Sequence, residues 1–352
     1  MTMQHERVRF GIIGYGRIGS RHAQRISENP AAQLVAVCDT KKTRLAEMNS
    51  LYDAEPYEDY RAMLQRPDLD VICICTPNGL HAEMAIAAAK AGKHILCEKP
   101  MAIFAADGQQ MIQAAAANQV HLFVVKQNRY NPPVAKVKDI IDQGVLGNIY
   151  LLVVNVYWNR DAEYYADSDW KGTKALDGGT LYTQMSHFID LMLWFGGDVR
   201  RVECVARQRK HQQIEFEDNG VILVEFESGA IGSFNYTVCA EDQNMEGSIT
   251  VIAEKGTVKV GGQYLNTLEY EQIRAYKIPE LEPSRPANDY GRYRGSMSNH
   301  DQVIQNVIDV LQHRAAPHVT AAEALKTVEF IEHCYRQLDA ANLQRPVETK
   351  GS

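Results

Sequence analysis

The sequence predicts an α/β protein. Its first part is a Rossmann doubly wound parallel sheet, and its second part is an α+β domain on a large, open, mainly antiparallel sheet. Three observations predict this. A strand-like run leads into a Gly-x-Gly-x-x-Gly turn at Gly14, Gly16 and Gly19. Short apolar runs then alternate with helix-like stretches. Beyond Gly147 the pattern changes to successive hairpins. The first domain is expected over 1–126 and the second over 127–352.

The opening strand is Val8 to Ile13. A strand, a tight turn and a helix N-terminus bring backbone amides onto a pyrophosphate, so Gly14, Gly16, Arg17, Ile18 and Gly19 are expected to hold a dinucleotide. The next apolar run, LVAVCD, ends at Asp39, about 20 residues beyond the glycines, where an acid can bind a ribose 2′-hydroxyl. Asp39 would repel a 2′-phosphate, so NAD is expected rather than NADP. A buried strand (Val71 to Cys75), an alanine-rich helix and a further strand (His94 to Cys97) follow. Ligands bind at the carboxyl ends of such strands. Thr76, Pro77, Asn78 and His81 follow one such end, and Glu98, Lys99 and Pro100 follow the next. Gln127, Asn128 and Arg129 follow HLFVV, where the first domain closes.

In the second domain IYLLVVNVYW reads as a strand. VILVEFESGAIGSFNYTV reads as a hairpin around Ser228 and Gly229, and SITVIAEKGTVKVGG as another around Lys255 and Gly256. One face of this sheet should lie on helices. The other needs cover, and a homodimer or homotetramer is the expected solution. A helix from near Gly179 would put Thr183 and His187 on one face at i and i+4. Two helices should close the chain, one over His300 to Leu311 and one from Thr320, where Thr320 and Glu323 form a capping box. The segment 283–300 between these regions reads either as a surface loop or as a lid.

The formal net charge of −7, with no long basic run, argues against nucleic acid as a partner. No stretch is apolar and long enough to cross a bilayer, and MTMQHERVRFGIIG has no signal-peptide layout, so a cytoplasmic protein is expected. Of the seven cysteines, Cys38, Cys73, Cys75 and Cys97 sit in apolar runs and read as buried thiols. No CxxC pair or suitably spaced histidine accompanies them, so no metal site is expected.

Taken together, the glycine turn, the TPNxxH turn from Thr76 to His81, the EKP at Glu98 to Pro100 and the Gly-Gly…His helix resemble the Gfo/Idh/MocA oxidoreductases over nearly the whole chain. Within that family, VKQNRYNPPV, the stretch from NVYWNRDAEYYADSDWKG to LDGGTLYTQMSHFIDLMLW, and EGSITVIAEKGTVKVGG are most similar to the WlbA-type UDP-N-acetylglucosaminuronate 3-dehydrogenases. The resemblance implies NAD-dependent oxidation of the sugar C3 hydroxyl to a ketone, on the way to diacetamido-uronic acids of bacterial surface polysaccharide. A 2-keto acid for cofactor recycling is a further implied partner. It also implies that Lys99 and His187 face the carbon that loses hydride.

The chemistry needs a base within hydrogen-bond reach of the hydroxyl. His187 is expected to take the proton, with Lys99 holding the C3 oxygen; the reverse assignment stays open. Thr183 stands where many family members carry Asp and closer relatives Asn. It cannot carry charge, so a Lys–Asp–His scheme loses its middle member and the Lys–His pair remains. Its hydroxyl binds either a substrate hydroxyl or a helix carbonyl. A UDP-sugar acid calls for cations and aromatic surfaces. Asn128, Arg129, Arg160, Tyr164 and Trp170 are expected at the substrate, with Lys126, Lys171, Lys174, Arg292 and Arg294 as further cations. The alternatives are another sugar or inositol dehydrogenase of this fold, an NAD-dependent glycosidase and a non-catalytic ligand sensor. Retention of both Lys99 and His187 argues against the sensor.

Overall fold

The computed structural model describes residues 7–289, 291 and 294–343. Six parallel strands form the first sheet: β1 (Val8–Ile13), β2 (Ala32–Cys38), β3 (Glu55–Tyr57), β4 (Val71–Ile74), β5 (His94–Cys97) and β6 (Leu122–Val124). Their order is β3-β2-β1-β4-β5-β6, with the chain reversing direction across the sheet at β1 and β4. Helices α1 (Arg17–Glu28), α2 (Lys42–Leu51), α3 (Tyr60–Leu64), α4 (His81–Lys90) and α5 (Ala105–Ala117) make the crossovers. Because helices cover both faces, a strand such as β4 (Val71, Ile72, Cys73, Ile74) is buried throughout and reads as an unbroken apolar run.

The second sheet has seven strands: β7 (Ile149–Tyr157), β8 (Val199–Arg207), β9 (Asn219–Phe226), β10 (Ile231–Thr237), β11 (Glu246–Ala253), β12 (Gly256–Gly261) and β13 (Thr267–Ile273). The order is β13-β12-β11-β7-β10-β9-β8, antiparallel except where β7 and β10 run parallel. Both expected hairpins, β9–β10 and β11–β12, are present. The strands alternate: Ile222, Val224 and Phe226 of β9 are buried, while Val221 and Leu223 are exposed on the other face. Val205 of β8 pairs with Val221, and exposed Ile231 of β10 follows on the same outer face. The inner face rests on α6 (Pro132–Asp142) and on α8 (Ser186–Gly196); a short α7 (Ala162–Ala166) precedes α8.

The chain ends in α9 (His300–Leu311) and α10 (Ala321–Leu343). The capping box forms: Thr320 Oγ1 accepts from the Glu323 amide at 3.2 Å, and Glu323 Oε2 accepts from the Thr320 amide at 2.9 Å. Although α9 follows the second sheet in sequence, its stripe of Val303, Ile304, Val307 and Ile308 packs with Ala23 and Ile26 of α1 in the core of the first sheet. No helix among the described residues is long and apolar enough to cross a membrane.

A buried charge cluster ties these layers together. Asp190 of α8 accepts two bonds from the Arg129 guanidinium, at 2.9 and 3.0 Å, and pairs with Lys126 at 3.2 Å. Arg129 also donates to Glu323 of α10 at 3.0 Å. Burial alone would raise the Asp190 carboxyl, but Arg129 and Lys126 hold it far below the usual carboxylate range. Removing one partner from such a cluster leaves uncompensated buried charge. Asp190→Asn is therefore expected to lower stability by about 3–5 kcal/mol, measured by denaturant unfolding; an unchanged midpoint would show that the cluster does not hold the layers together.

Candidate active site

The turn between β1 and α1 has no room for side chains. Gly14 has φ +91°, and a Cβ on it would lie 2.7 Å from the Cys75 carbonyl oxygen. A Cβ on Gly19 would lie 2.0 Å from the Gly14 carbonyl oxygen. Such contacts let backbone come close to a pyrophosphate at the positive end of α1, where Gly16, Arg17 and Ile18 lie. Asp39, directly after β2, is buried and fixed: Oδ2 accepts from the Tyr15 amide and Oδ1 from the Lys41 amide, both at 2.8 Å. Arg44 lies 3.2 Å from the same carboxylate. This cradle fits a dinucleotide.

The turns after β4 and β5 are braced against each other. The His81 ring nitrogens face the Pro100 and Thr76 carbonyls at 2.8 and 3.0 Å. Asn78 reaches into the second domain, donating to the Asp177 carbonyl at 2.8 Å and to Thr183 Oγ1 at 2.7 Å. Glu98 is buried. Its Oε1 lies 2.8 Å from His22 Nε2 on α1 and 3.5 Å from His300 Nε2 on α9, while Oε2 accepts from the Lys99 amide at 3.1 Å. Burial alone would raise this carboxyl, but the hydrogen bond from His22, with the His300 ring close by, holds it well below the usual range. The ligating atoms of the three residues lie within 4.8 Å of one another. The His22–Glu98 separation is that of a hydrogen bond, and we read the trio as an anchor for the EKP turn.

From that anchor Lys99 extends its Nζ to the Thr183 carbonyl oxygen at 2.6 Å. Burial lowers the lysine to about 8, with Lys126 and Arg160 adding to the effect and Glu98 and Asp177 opposing it. His187 is buried; its Nε2 lies 3.3 Å from the Gln127 amide nitrogen and 3.5 Å from Ser296 Oγ. Burial, then Lys99 and Lys126, keeps its pKa well below the ordinary histidine value. Among the described residues, His187 Nδ1 and both side-chain polar atoms of Asn128 are buried without a hydrogen-bond partner. Buried polar atoms without a partner are rare in folded proteins and are candidates for a catalytic role or a bound group.

Thr183 and His187 do not share a regular α-helix. Leu181–Met185 forms a π-helical turn, and α8 begins only at Ser186. Turns of this kind appear as local insertions, often at functional sites. Beside them, Arg17, Asn159, Arg160, Asp161, Tyr164, Asp167 and Lys171 line a cleft joining the glycine turn to the segment before Gly178. Lys171 Nζ lies 3.7 Å from the centre of the Tyr164 ring, and the Arg160 guanidinium 5.3 Å from it. Burial, Arg17 and Arg160 lower Lys171 to about 8, against Asp177 and Asp167.

Two family profiles match this chain. The Gfo/Idh/MocA oxidoreductase profile, described as an NAD-binding Rossmann fold, covers residues 8–126, and the Gfo/Idh/MocA C-terminal domain profile covers 134–259. The chain belongs to the Gfo/Idh/MocA oxidoreductase family. The crystal structure of the WlbA dehydrogenase from Bordetella pertussis, in complex with NADH and UDP-GlcNAcA, is similar at TM-score 0.88 and 36% identity, covering 96% of each chain. The uncharacterized oxidoreductase YrbE of Bacillus subtilis is 32% identical over 74% of this chain and 75% of its own. The myo-inositol 2-dehydrogenase of Thermotoga maritima is 29% identical over 71% of this chain and 74% of its own. As a member of this family, the protein is an NAD-dependent oxidoreductase.

In this Gfo/Idh/MocA chain, hydrogen bonds join Lys99 and Asn78 to Thr183, and Gln127 to His187; Lys99 is near enough to His187 to lower its pKa, and Arg160, Tyr164 and Lys171 line the cleft beside Arg17. Trp170 is half-buried in the same segment. Two expected cations are not brought to the ligand side: Asp190 engages Lys126 and Arg129, and Arg129 also lies 4.6 Å from the Trp194 ring centre. Lys174 is exposed, 3.8 Å from Asp339. Within 283–300, Ala287–Asp289 pairs with Arg294–Met297 as a small ribbon. The ribbon delivers Ser296 to Gln127 at 2.8 Å, beside His187, and the Arg294 carbonyl to Asn244 at 3.0 Å. Arg292 lies outside the described residues. Sequence reasoning missed Ser296 and Asp177. Ser296 had no local signal, whereas Asp177 stood directly before the glycine pair. The fixed Asp39 carboxylate gives a test of cofactor choice: NAD is expected to bind at least tenfold more tightly than NADP by fluorescence titration, and Asp39→Ser should narrow that ratio. Tighter NADP binding by the wild type would refute this role for Asp39.

Proposed function

We propose that the protein oxidises the C3 hydroxyl of UDP-N-acetylglucosaminuronic acid to the 3-keto sugar, using NAD, in the formation of diacetamido-uronic acids for bacterial surface polysaccharide. The observation that carries this reading is the whole-length likeness to a WlbA dehydrogenase crystallised with NADH and UDP-GlcNAcA. Arg17, Arg160, Tyr164 and Lys171, which line a narrow gap together with Asp161 and Asp167, are in keeping with it, since a nucleotide sugar acid needs cations and an aromatic surface beyond the reacting carbon. A second reading, a polyol or inositol dehydrogenase, is favoured by the likeness to the Thermotoga enzyme.

The sequence suggested His187 as the base. Burial favours the opposite assignment. A base works best with a pKa near the operating pH. Lys99, lowered to about 8, meets that condition, whereas His187 is lowered well below the ordinary histidine value and is a weak base. In this reading NAD, when bound, accepts the hydride from C3. The hydroxyl proton passes to neutral Lys99, and the C3–O bond becomes a carbonyl. The ammonium so formed donates to the Thr183 carbonyl, the partner it already holds at 2.6 Å. Neutral His187 holds the reacting oxygen, oriented by Gln127 and Ser296. Asn128 offers its amide to the substrate.

The direct test is NADH absorbance on mixing the protein with UDP-N-acetylglucosaminuronate and excess NAD, with a 2-keto acid in a parallel sample. A rise in NADH is expected; a 3-keto sugar appearing only with the keto acid would mean that the cofactor is recycled in place. Silence in both samples would overturn the substrate. The base must be deprotonated to act, so kcat/KM should rise with pH to a plateau above a midpoint near 8, following Lys99. Lys99→Ala should lower kcat by about 10²–10⁴-fold. A single rise centred near 6.5 that is lost in His187→Asn would return the role of base to the histidine.

We further propose that the protein self-associates through the outer face of its second sheet. Val205, Leu223 and Ile231 are exposed there at 62%, 54% and 54%, an apolar surface unusual for a solvated sheet. Leu223→Asp is expected to shift the mass measured by light scattering from a dimer or tetramer to a monomer. A wild-type monomer would overturn this reading.

A further inference from the structure

Asp177 is a buried carboxylate that the proposed chemistry leaves unassigned. It is 0% exposed. Its Oδ2 accepts from the Gly172 amide at 2.7 Å, and its Oδ1 accepts the hydroxyl of Thr183. Thr183 Oγ1 also accepts from Asn78 at 2.7 Å. A threonine hydroxyl has one proton and two lone pairs. Here the proton is committed to Asp177 and one lone pair to Asn78, so the remaining lone pair can only accept. Residue 183 meanwhile presents its carbonyl to Lys99. The Thr183 carbonyl thus accepts from the lysine, while the Thr183 hydroxyl oxygen keeps only accepting capacity and has the Asp177 carboxylate directly behind it.

We infer that Asp177 is a positioning residue of the hydride-transfer site, supplying through the Thr183 hydroxyl the negative charge that position 183 itself lacks. This rests on the reading of Lys99 as the group that takes the substrate proton. When Lys99 becomes an ammonium, Asp177 offsets its charge, and the polarised Thr183 oxygen accepts a hydrogen bond from the ammonium or from a neighbouring sugar hydroxyl. The groups facing Asp177 are consistent with a paired role: Lys99 from the end of β5, Lys171 from the cleft and Tyr165 from α7. Burial pushes the carboxyl up to about 6, while Thr183, Gly172, Lys171 and Lys99 draw it down, so it is ionised above neutrality, where Lys99 loses its proton. A carboxyl serving only the local loop would be satisfied by Gly172 and would not need its second oxygen on a residue that also holds Lys99.

The geometry makes a specific exchange possible. One carboxylate is needed, and either end of the Thr183–Asp177 hydrogen bond can carry it. The test compares wild type, Asp177→Asn, Thr183→Val, Thr183→Asp and the double variant D177N/T183D, all with UDP-N-acetylglucosaminuronate and NAD. Asp177→Asn should lower kcat by about 10²-fold with little change in KM. It should also move the midpoint of the kcat/KM rise below 8, because Asp177 raises the Lys99 pKa. Thr183→Asp alone should lower kcat, since two carboxylates then share one buried site. The double variant should recover at least tenfold over Asp177→Asn. Wild-type kcat and midpoint in Asp177→Asn, or no recovery in the double variant, would overturn the inference.

If the wild type makes neither NADH nor 3-keto sugar from this substrate, with or without a 2-keto acid, the substrate reading fails and the pairing is decided without turnover. The Asp177 carboxyl carbon shift, followed by NMR and assigned by its loss in Asp177→Asn, should titrate near pH 6. Its midpoint should move upward in Thr183→Val, which removes the stabilising hydroxyl. An unmoved midpoint in that variant would overturn the pairing.

Discussion

The site depends on the Glu98 carboxylate. Buried, and held between His22 and His300, it joins three elements: the helix that carries the glycine turn, the end of β5, and the penultimate helix α9. Moving a carboxylate out of water is costly unless it is paired and hydrogen-bonded. Here that requirement is met by residues whose own backbones are part of the cofactor cradle and its supporting core. The same carboxylate accepts the Lys99 amide, so the lysine we propose as the base is anchored by its main chain before its side chain crosses to Thr183. The cradle and the reacting lysine thus have a common support, which keeps a hydride acceptor and a proton acceptor in register.

That arrangement also explains how the work divides between the two titratable groups. Burial acts on both Lys99 and His187, and Lys99 further disfavours charge on His187. A lysine starts far above neutrality, so burial brings it toward the working pH. A histidine starts near neutrality, so the same burial removes it from the working range. One environment therefore makes the lysine the better base and leaves the histidine a neutral hydrogen-bonding group.

Much of this was legible in the sequence, for physical reasons. Gly14 and Gly19 mark a turn where a Cβ has no space, Asp39 follows its strand at the spacing a ribose demands, and the Thr320 capping box and both hairpins announce themselves through local chemistry. What escaped notice depends on residues far apart in the chain. Arg129 reads as a substrate cation until Asp190, 61 residues later, is seen to hold two nitrogens of its guanidinium, with Glu323 holding the third. Ser296 reaches Gln127 from 169 residues away. The packing of α9 on α1 follows from an apolar stripe whose partner could not be known from its own periodicity. The π turn at Leu181–Met185 carries no distinctive composition, so an ordinary helix was the natural expectation. Asp177 lay beside the glycine pair, but its tie to Thr183 depends on that turn.

The central claim is that burial poises Lys99 as the proton acceptor. The measurement that tests it most directly is the titration of the Lys99 side chain itself, by NMR of protein labelled at the lysine ε-carbon, with the resonance assigned by its loss in Lys99→Arg. The structure predicts a midpoint near 8. A midpoint at the ordinary lysine value of about 10.4 would mean a well-solvated ammonium, charged throughout the working range and unable to serve as the base.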